Sequence, residues 1–145
     1  MSLSIEAPLV EDIRRHGADA YPEECCGVMI GRSRRAGAEV VRLVPAENTR
    51  EDAARHNRYL IEPRTILRCQ REAREPGLDI VGYYHSHPDH PAEPSDFDRE
   101  HAWPGTSYLI VAVEGGEPVA VRCWTLTDDR STFEEQPLAE LATPD

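Results

Sequence analysis

The sequence predicts an α/β fold, a mixed sheet sandwiched between helices, and three observations carry that expectation. Residues 107–113 form the most hydrophobic run. They are followed by Glu114-Gly115-Gly116-Glu117 and a second apolar run over 119–126, the pattern of a central strand folding back into an antiparallel partner. Residues 80–84, Ile80-Val81-Gly82-Tyr83-Tyr84, read as another buried strand. Two stretches have helical periodicity instead, and the second lies between strand signals, as a crossover connection would. With 145 residues the chain has enough material for one domain spanning 1–145 with its own core.

Taken in order, residues from about Ile5 to Ala20 predict an amphipathic helix with Leu9, Ile13 and Ala20 near one face, ended by Tyr21-Pro22. Residues 22–31 predict a strand that opens on Glu23 and Glu24. By alternation Glu24, Cys26 and Val28 share one face and Glu23, Cys25 and Gly27 the other. A polar turn over 32–38 leads into a strand at 39–44, closed by Pro45-Ala46-Glu47-Asn48. Residues 58–61 read as a short strand. Glu62-Pro63 opens a helix running from about Arg64 to Arg74, and Pro76-Gly77 stops it. Residues 96–103 make a short helix closed by Pro104-Gly105. From about Asp128 the chain is acidic and interrupted by proline, and is expected to be a loosely ordered tail with Phe133 as its one anchor.

Composition narrows the function. The net charge is −11, from 27 acidic residues against 16 basic, and every basic residue is Arg. Binding to nucleic acid depends on basic neutralisation of phosphate, so a general nucleic-acid binder is not expected. No apolar run approaches the roughly 20 residues of a membrane span, and residues 1–6 carry no signal-peptide pattern, so no membrane association and a cytoplasmic location are expected. Cys25, Cys26, Cys69 and Cys123 contain no Cys-x-x-Cys pair and read as small buried hydrophobes.

The chemistry is concentrated in His85-Ser86-His87-Pro88-Asp89-His90-Pro91-Ala92-Glu93-Pro94-Ser95-Asp96-Phe97-Asp98. At the end of a strand His85 and His87 project to one side. Pro88, Pro91 and Pro94 force a loop. Ser95 is a good N-cap, and Asp98 lies in the first turn after it, where a folded-back loop could present it to the two imidazoles. Two His, one Asp and a position left for water is the ligand count of a catalytic zinc site. Taken alone, the same residues also allow a polar strand edge and a capping box, and Asp96 competes with Asp98.

The spacing His-x-His-Pro-x6-Ser-x-x-Asp resembles the signature of the JAMM (JAB/MPN) metalloprotease family, with His85, His87, Pro88, Ser95 and Asp98 at every diagnostic position. Pro22, Glu24, Cys26 and Gly27 are similar to the pattern around the catalytic Glu of its small prokaryotic members. The resemblance extends from Pro22 to about Leu126. It implies a cytidine-deaminase-like three-layer fold, Zn2+ on His85, His87 and Asp98 rather than Asp96, Glu24 as general base and then acid, and Ser95 as oxyanion donor. It further implies hydrolysis of a peptide or isopeptide bond at the Gly-Gly tail of a ubiquitin-like sulfur-carrier protein. Asn48 falls where members often carry an Asn, so it is either substrate-orienting or a turn residue. His101, one turn beyond Asp98, is either a support to the site or an exposed helix His. A non-catalytic MPN-type interaction module is the alternative, disfavoured because no ligand is missing. A RadC-type DNA-associated relative is disfavoured by the charge and by the lack of an N-terminal extension. Homo-oligomerisation is left open.

The Lys-free acidic composition has two accounts, a salt-rich cytoplasm or a GC-rich genome. The first predicts a melting temperature that rises with added KCl; a flat or falling one in a thermal scan removes it.

Overall fold

The structure is a computed structural model that describes residues 2–35, 37–51, 54–74 and 76–142. Eight strands, β1 (Ser2–Glu6), β2 (Cys26–Arg34), β3 (Gly37–Ala46), β4 (Asp79–Pro88), β5 (Ser107–Glu114), β6 (Glu117–Leu126), β7 (Phe133–Gln136) and β8 (Leu138–Leu141), form one mixed sheet in the order β7-β6-β5-β4-β2-β3-β1-β8. The helices are α1 (Ala7–Ala20), α2 (Pro63–Arg74) and α3 (Asp96–Glu100). The pairs β4–β5, β1–β3 and β1–β8 are parallel and the others antiparallel. The α/β expectation, with helices on both faces of a mixed sheet, therefore holds.

The two faces separate by alternation along β2. Cys25 and Met29 join a core with Leu3, Ile5 and Tyr84 that receives Val10 and Ile13 of α1. Cys26, Val28 and Ile30 point the other way, onto Cys69 and Ala73 of α2. Helix α2 carries the chain from β3 to β4 across β2, the expected crossover. All four cysteines are free and buried. Among the described residues no helix is long and apolar enough to cross a membrane.

Several boundaries differ from expectation for identifiable reasons. Ile5 belongs to a strand, not to the first helix: Leu3 and Ile5 are fully buried at period two, and Pro8, which lacks an N–H, opens α1 instead. Glu24 precedes its strand rather than lying in it, because its N–H bonds the Arg55 carbonyl (2.6 Å) instead of the ladder. Strand β2 then runs on to Arg34, so the expected turn over 32–38 shrinks. Residues 58–61 form no strand; the Leu60 N–H is taken by the Asn48 side chain (3.1 Å). Helix α3 ends at Glu100, not Trp103. The segment from Asp128, expected as a loose tail, contributes β7 and β8 at opposite ends of the strand order, with only Pro137 between them. Since one residue cannot span a flat eight-stranded sheet, the sheet is rolled until its ends meet at Pro137, whose carbonyl accepts the Leu3 N–H (2.9 Å).

The close approach of β2 to β4 depends on Gly27, since a Cβ there would overlap the Tyr84 ring. Tyr84 is held in turn by His16 Nδ1 at 2.9 Å from its hydroxyl. Gly27→Ala should cost about 1–3 kcal/mol of stability by overpacking, read as a lower denaturant midpoint at unchanged m-value.

Candidate metal centre

Strand β4 continues past Tyr84 through His85, Ser86 and His87 because its parallel ladder with β5 continues, pairing His85 with Ile110 and His87 with Ala112. Both imidazoles therefore emerge on the α2 face, and both are buried. Their Nε2 atoms are 3.1 Å apart. Asp98 reaches them from α3. Ser95 caps that helix: its Oγ accepts the Asp98 N–H (3.0 Å), and Asp98 Oδ2 accepts the Ser95 N–H (3.0 Å). The same Oδ2 lies 3.3 Å from His85 Nε2 and 3.0 Å from His87 Nε2. The capping box and the approach to the histidines are thus one arrangement, not alternatives. Asp96 is not part of it. Its side chain is exposed and nearest to Arg99 (3.9 Å).

The donor set fits a cation. One donor atom from each of His85, His87 and Asp98 lies within 4.8 Å of the others. His87 Nδ1 lies 2.9 Å from the Pro91 carbonyl, which can only accept, so that contact assigns the proton to Nδ1 and turns the Nε2 lone pair toward Asp98. A lone pair facing a carboxylate oxygen at 3.0 Å repels it unless a proton or a metal lies between them. Electrostatics agree. Burial raises the Asp98 pKa, but the two imidazoles outweigh it and hold the carboxyl far below its ordinary range. Burial lowers the His85 pKa. For His87, burial lowers it and Asp98 more than offsets this, so the net shift is upward.

Glu24 is 4% exposed, and its Oε1 has no hydrogen-bond partner among the described residues. It lines a cleft of about 430 Å³ with His87, Ser95 and Arg58. Burial pushes its pKa up to about 8; His87 works against that rise and Asp98 adds to it. A carboxyl that is buried, unpartnered and poised near neutrality can both accept and return a proton. Ser95 uses its oxygen as an acceptor in the cap, which leaves its O–H free to donate.

Asn48 is neither a mere turn residue nor a free amide. Its Nδ2 donates to the carbonyls of Glu24 and Arg58 (3.0 Å each), and its Oδ1 accepts from the N–H groups of Arg50 and Leu60 (3.1 Å each). All its bonding capacity is used, so none remains for a substrate. His101 is exposed, bonds the Phe97 carbonyl (2.9 Å) and stacks on the Phe97 ring. Sequence reasoning missed Tyr59, which stacks on His85 at 4.5 Å between centroids. It also missed Trp124, whose Nε1 donates to the Ala92 carbonyl (2.9 Å) in the loop between His87 and Asp98. Nothing local marked either residue.

With this geometry in place, comparison with known proteins is decisive. Residues 6–127 match the family described as prokaryotic homologs of the JAB domain. The chain belongs to that family. It is 34% identical over 120 residues to a protein named desampylase from Haloferax volcanii, a match covering 79% of this chain and 82% of the relative. It is 31% identical over 113 residues to a Thermus thermophilus protein named "Probable TtuB-protein conjugate cleaving protease", covering 78% of this chain and 72% of the relative. A solution structure of a Salinibacter ruber protein superposes with a TM-score of 0.73 at 40% identity, covering 97% of this chain and 92% of the other. For this JAB-domain chain the JAMM resemblance and the expected fold are thereby upheld.

The Glu24 shift has a thermodynamic consequence in metal-stripped protein. Its folded pKa of about 8 lies above the ordinary 4.5, so folding retains a proton that the unfolded chain releases. That contribution is complete below about pH 4.5 and is lost as pH rises toward about 8. The stability difference between wild type and Glu24→Gln should therefore shift against the wild type across this window, measured as denaturation midpoints of both metal-free proteins against pH.

Proposed function

We propose that this protein is a zinc-dependent peptidase that hydrolyses the amide bond following the C-terminal Gly-Gly tail of a ubiquitin-like sulfur-carrier protein, acting in the cytoplasm. The observation that carries the reading is the buried carboxyl of Glu24 with its unpartnered Oε1, which opens into one cleft with His87 of the His85–His87–Asp98 group. The names of the H. volcanii and T. thermophilus relatives support a conjugate or extension of a ubiquitin-like protein as the class of substrate.

In this reading His85 Nε2, His87 Nε2 and Asp98 Oδ2 hold the ion, and Tyr59 and the Pro91 carbonyl fix the two rings. Zinc bound there would supply Lewis acidity, which lowers the pKa of a water from about 15.7 toward 7 and polarises a carbonyl. Glu24 takes one proton from the attacking water. The water oxygen bonds the acyl carbon, Glu24 returns the proton to the leaving nitrogen and the C–N bond breaks, giving a carboxylic acid and an amine; the acid's remaining water proton then passes to the amine, leaving a carboxylate and an ammonium. The Ser95 O–H donates to the carbonyl oxygen as negative charge builds there, a role often worth about 3 kcal/mol. Glycines in the substrate tail would let its backbone lie close to the reacting centre.

Glu24→Gln should retain zinc and lose about 10²- to 10⁴-fold in kcat on a Gly-Gly carrier extended by one residue, followed by mass spectrometry. Full turnover by zinc-loaded Glu24→Gln would overturn the assignment. His87→Ala and Asp98→Ala should each lose the metal by elemental analysis while keeping the far-UV spectrum of the wild type.

A further inference from the structure

The proposed reaction leaves open what hangs on the leaving nitrogen, either a single amino acid or the side-chain nitrogen of a lysine in a conjugated protein. The cleft wall bears on this. Arg58 is exposed in the same cleft as Glu24, His87 and Ser95. Its guanidinium lies over the Phe97 ring at 4.9 Å from the centroid, which orders it without neutralising it. Among the described residues it makes no ion pair, in a chain where acids outnumber bases 27 to 16. Besides Glu24, the acids lining that cleft have cations of their own: Glu93 meets Arg122 (3.1 Å), and Asp96 lies 3.9 Å from Arg99. A cation kept free among so many carboxylates is available to an anion from outside.

Its position relative to the reaction follows from Asn48. The single Nδ2 of Asn48 donates to the carbonyls of both Glu24 and Arg58 at 3.0 Å, so the two residues are neighbours. The Glu24 N–H also bonds the Arg55 carbonyl, which lays this loop along Glu24. Resting on the peptidase reading above, Glu24 hands its proton to the leaving nitrogen, so a cation in the same cleft is open to an anion carried by that leaving group.

We infer that Arg58 binds the α-carboxylate of a single leaving amino acid, and so makes this site selective for a one-residue C-terminal extension over a lysine-linked conjugate. In a free amino acid the carboxylate is two bonds from the nitrogen that Glu24 protonates. In a lysine isopeptide the leaving nitrogen carries only a methylene chain. A guanidinium fork matches a carboxylate with two parallel N–H···O bonds, which an amide or a methylene cannot offer.

The test uses the full-length zinc-loaded protein and three substrates made from the host's Gly-Gly-tailed carrier. One is extended by alanine as the free acid, one by alanine as the carboxamide, and one is joined to a lysine side chain. Wild type should prefer the acid over the amide by about 10- to 100-fold in kcat/KM, the range of a charge-assisted bond lost. That ratio should collapse toward one in Arg58→Gln, chiefly through KM, and recover in part in Arg58→Lys. Equal cleavage of acid and amide by wild type, a ratio unchanged in Arg58→Gln, or cleavage of the lysine conjugate alone would overturn the inference while leaving the peptidase reading intact. Cleavage of none of the three would overturn both.

Discussion

The site depends on one strand pairing. Antiparallel β2 and β4 meet with Cys26 opposite His85, and the contact continues one step beyond the ladder. There the Cys25 N–H donates to Ser86 Oγ (2.7 Å) and the Ser86 N–H to the Cys25 carbonyl (3.2 Å). Glu24 is the next residue back, so this register delivers a carboxylate from just ahead of β2 to two imidazoles on β4, about sixty residues away in the chain. A slip of one residue would turn His85 and His87 to the α1 face and leave Glu24 without them. The dense packing of Tyr84 against Gly27 makes that slip sterically expensive, because Tyr84 would then have to enter the space the imidazoles occupy.

Two buried imidazoles, two carboxylates and the loops that carry them are not self-stabilising, since desolvating such groups opposes folding. The loop between His87 and Asp98 is accordingly tied down from outside the site. Trp124 holds the Ala92 carbonyl, and Ala92 itself packs on Ile110 and Ala112. Arg122 stacks on Trp124 at 4.6 Å and joins Glu93 of the loop to Glu135 of β7 (3.1 and 2.8 Å). Tyr21, three residues before Glu24, donates to Asp89 Oδ2 (2.7 Å), two residues after His87. Exposed contacts of this kind add little to global stability. Their effect is geometric: they fix two loops to each other and to the sheet before any substrate arrives.

What the sequence made legible was local. The His-x-His pair, the capping serine and Asp98 lie within fourteen residues, and strand alternation plus helix capping place them without long-range information. The strand at 107–113 was readable because burial on both sheet faces writes itself as an apolar run, and those at 80–84 and 119–126 because β-branched and aromatic residues dominate them. Glu24 became readable only through resemblance, because nothing in a local stretch says which distant strand it will face. The failures share that cause. Ile5 looks like a helix residue until β3 and β8 are known to flank its strand. Residues 133–141 look polar and loose because each edge strand buries little of its own surface and relies on a neighbour from elsewhere in the chain. Residues 58–61 have strand-like composition, but their hydrogen bonds go to Asn48 and Thr49, which sequence periodicity cannot show.

Asn48 ties the proton carrier to the neighbouring loop. One amide satisfies four backbone groups, two on the loop carrying Arg50 and Leu60 and one each on Glu24 and Arg58. Asp in its place would lose both donors and leave the Glu24 and Arg58 carbonyls facing a negative charge; Ala would leave all four groups without it. Because the same side chain sets the height of the proton carrier and of the cation beside it, the two cannot be repositioned independently. Coupling of that kind would make the geometry of proton transfer and the choice of leaving group change together along any path of substitution through residue 48. The asparagine in this chain is therefore better understood as a joint between two parts of the cleft than as a contact for whatever enters it.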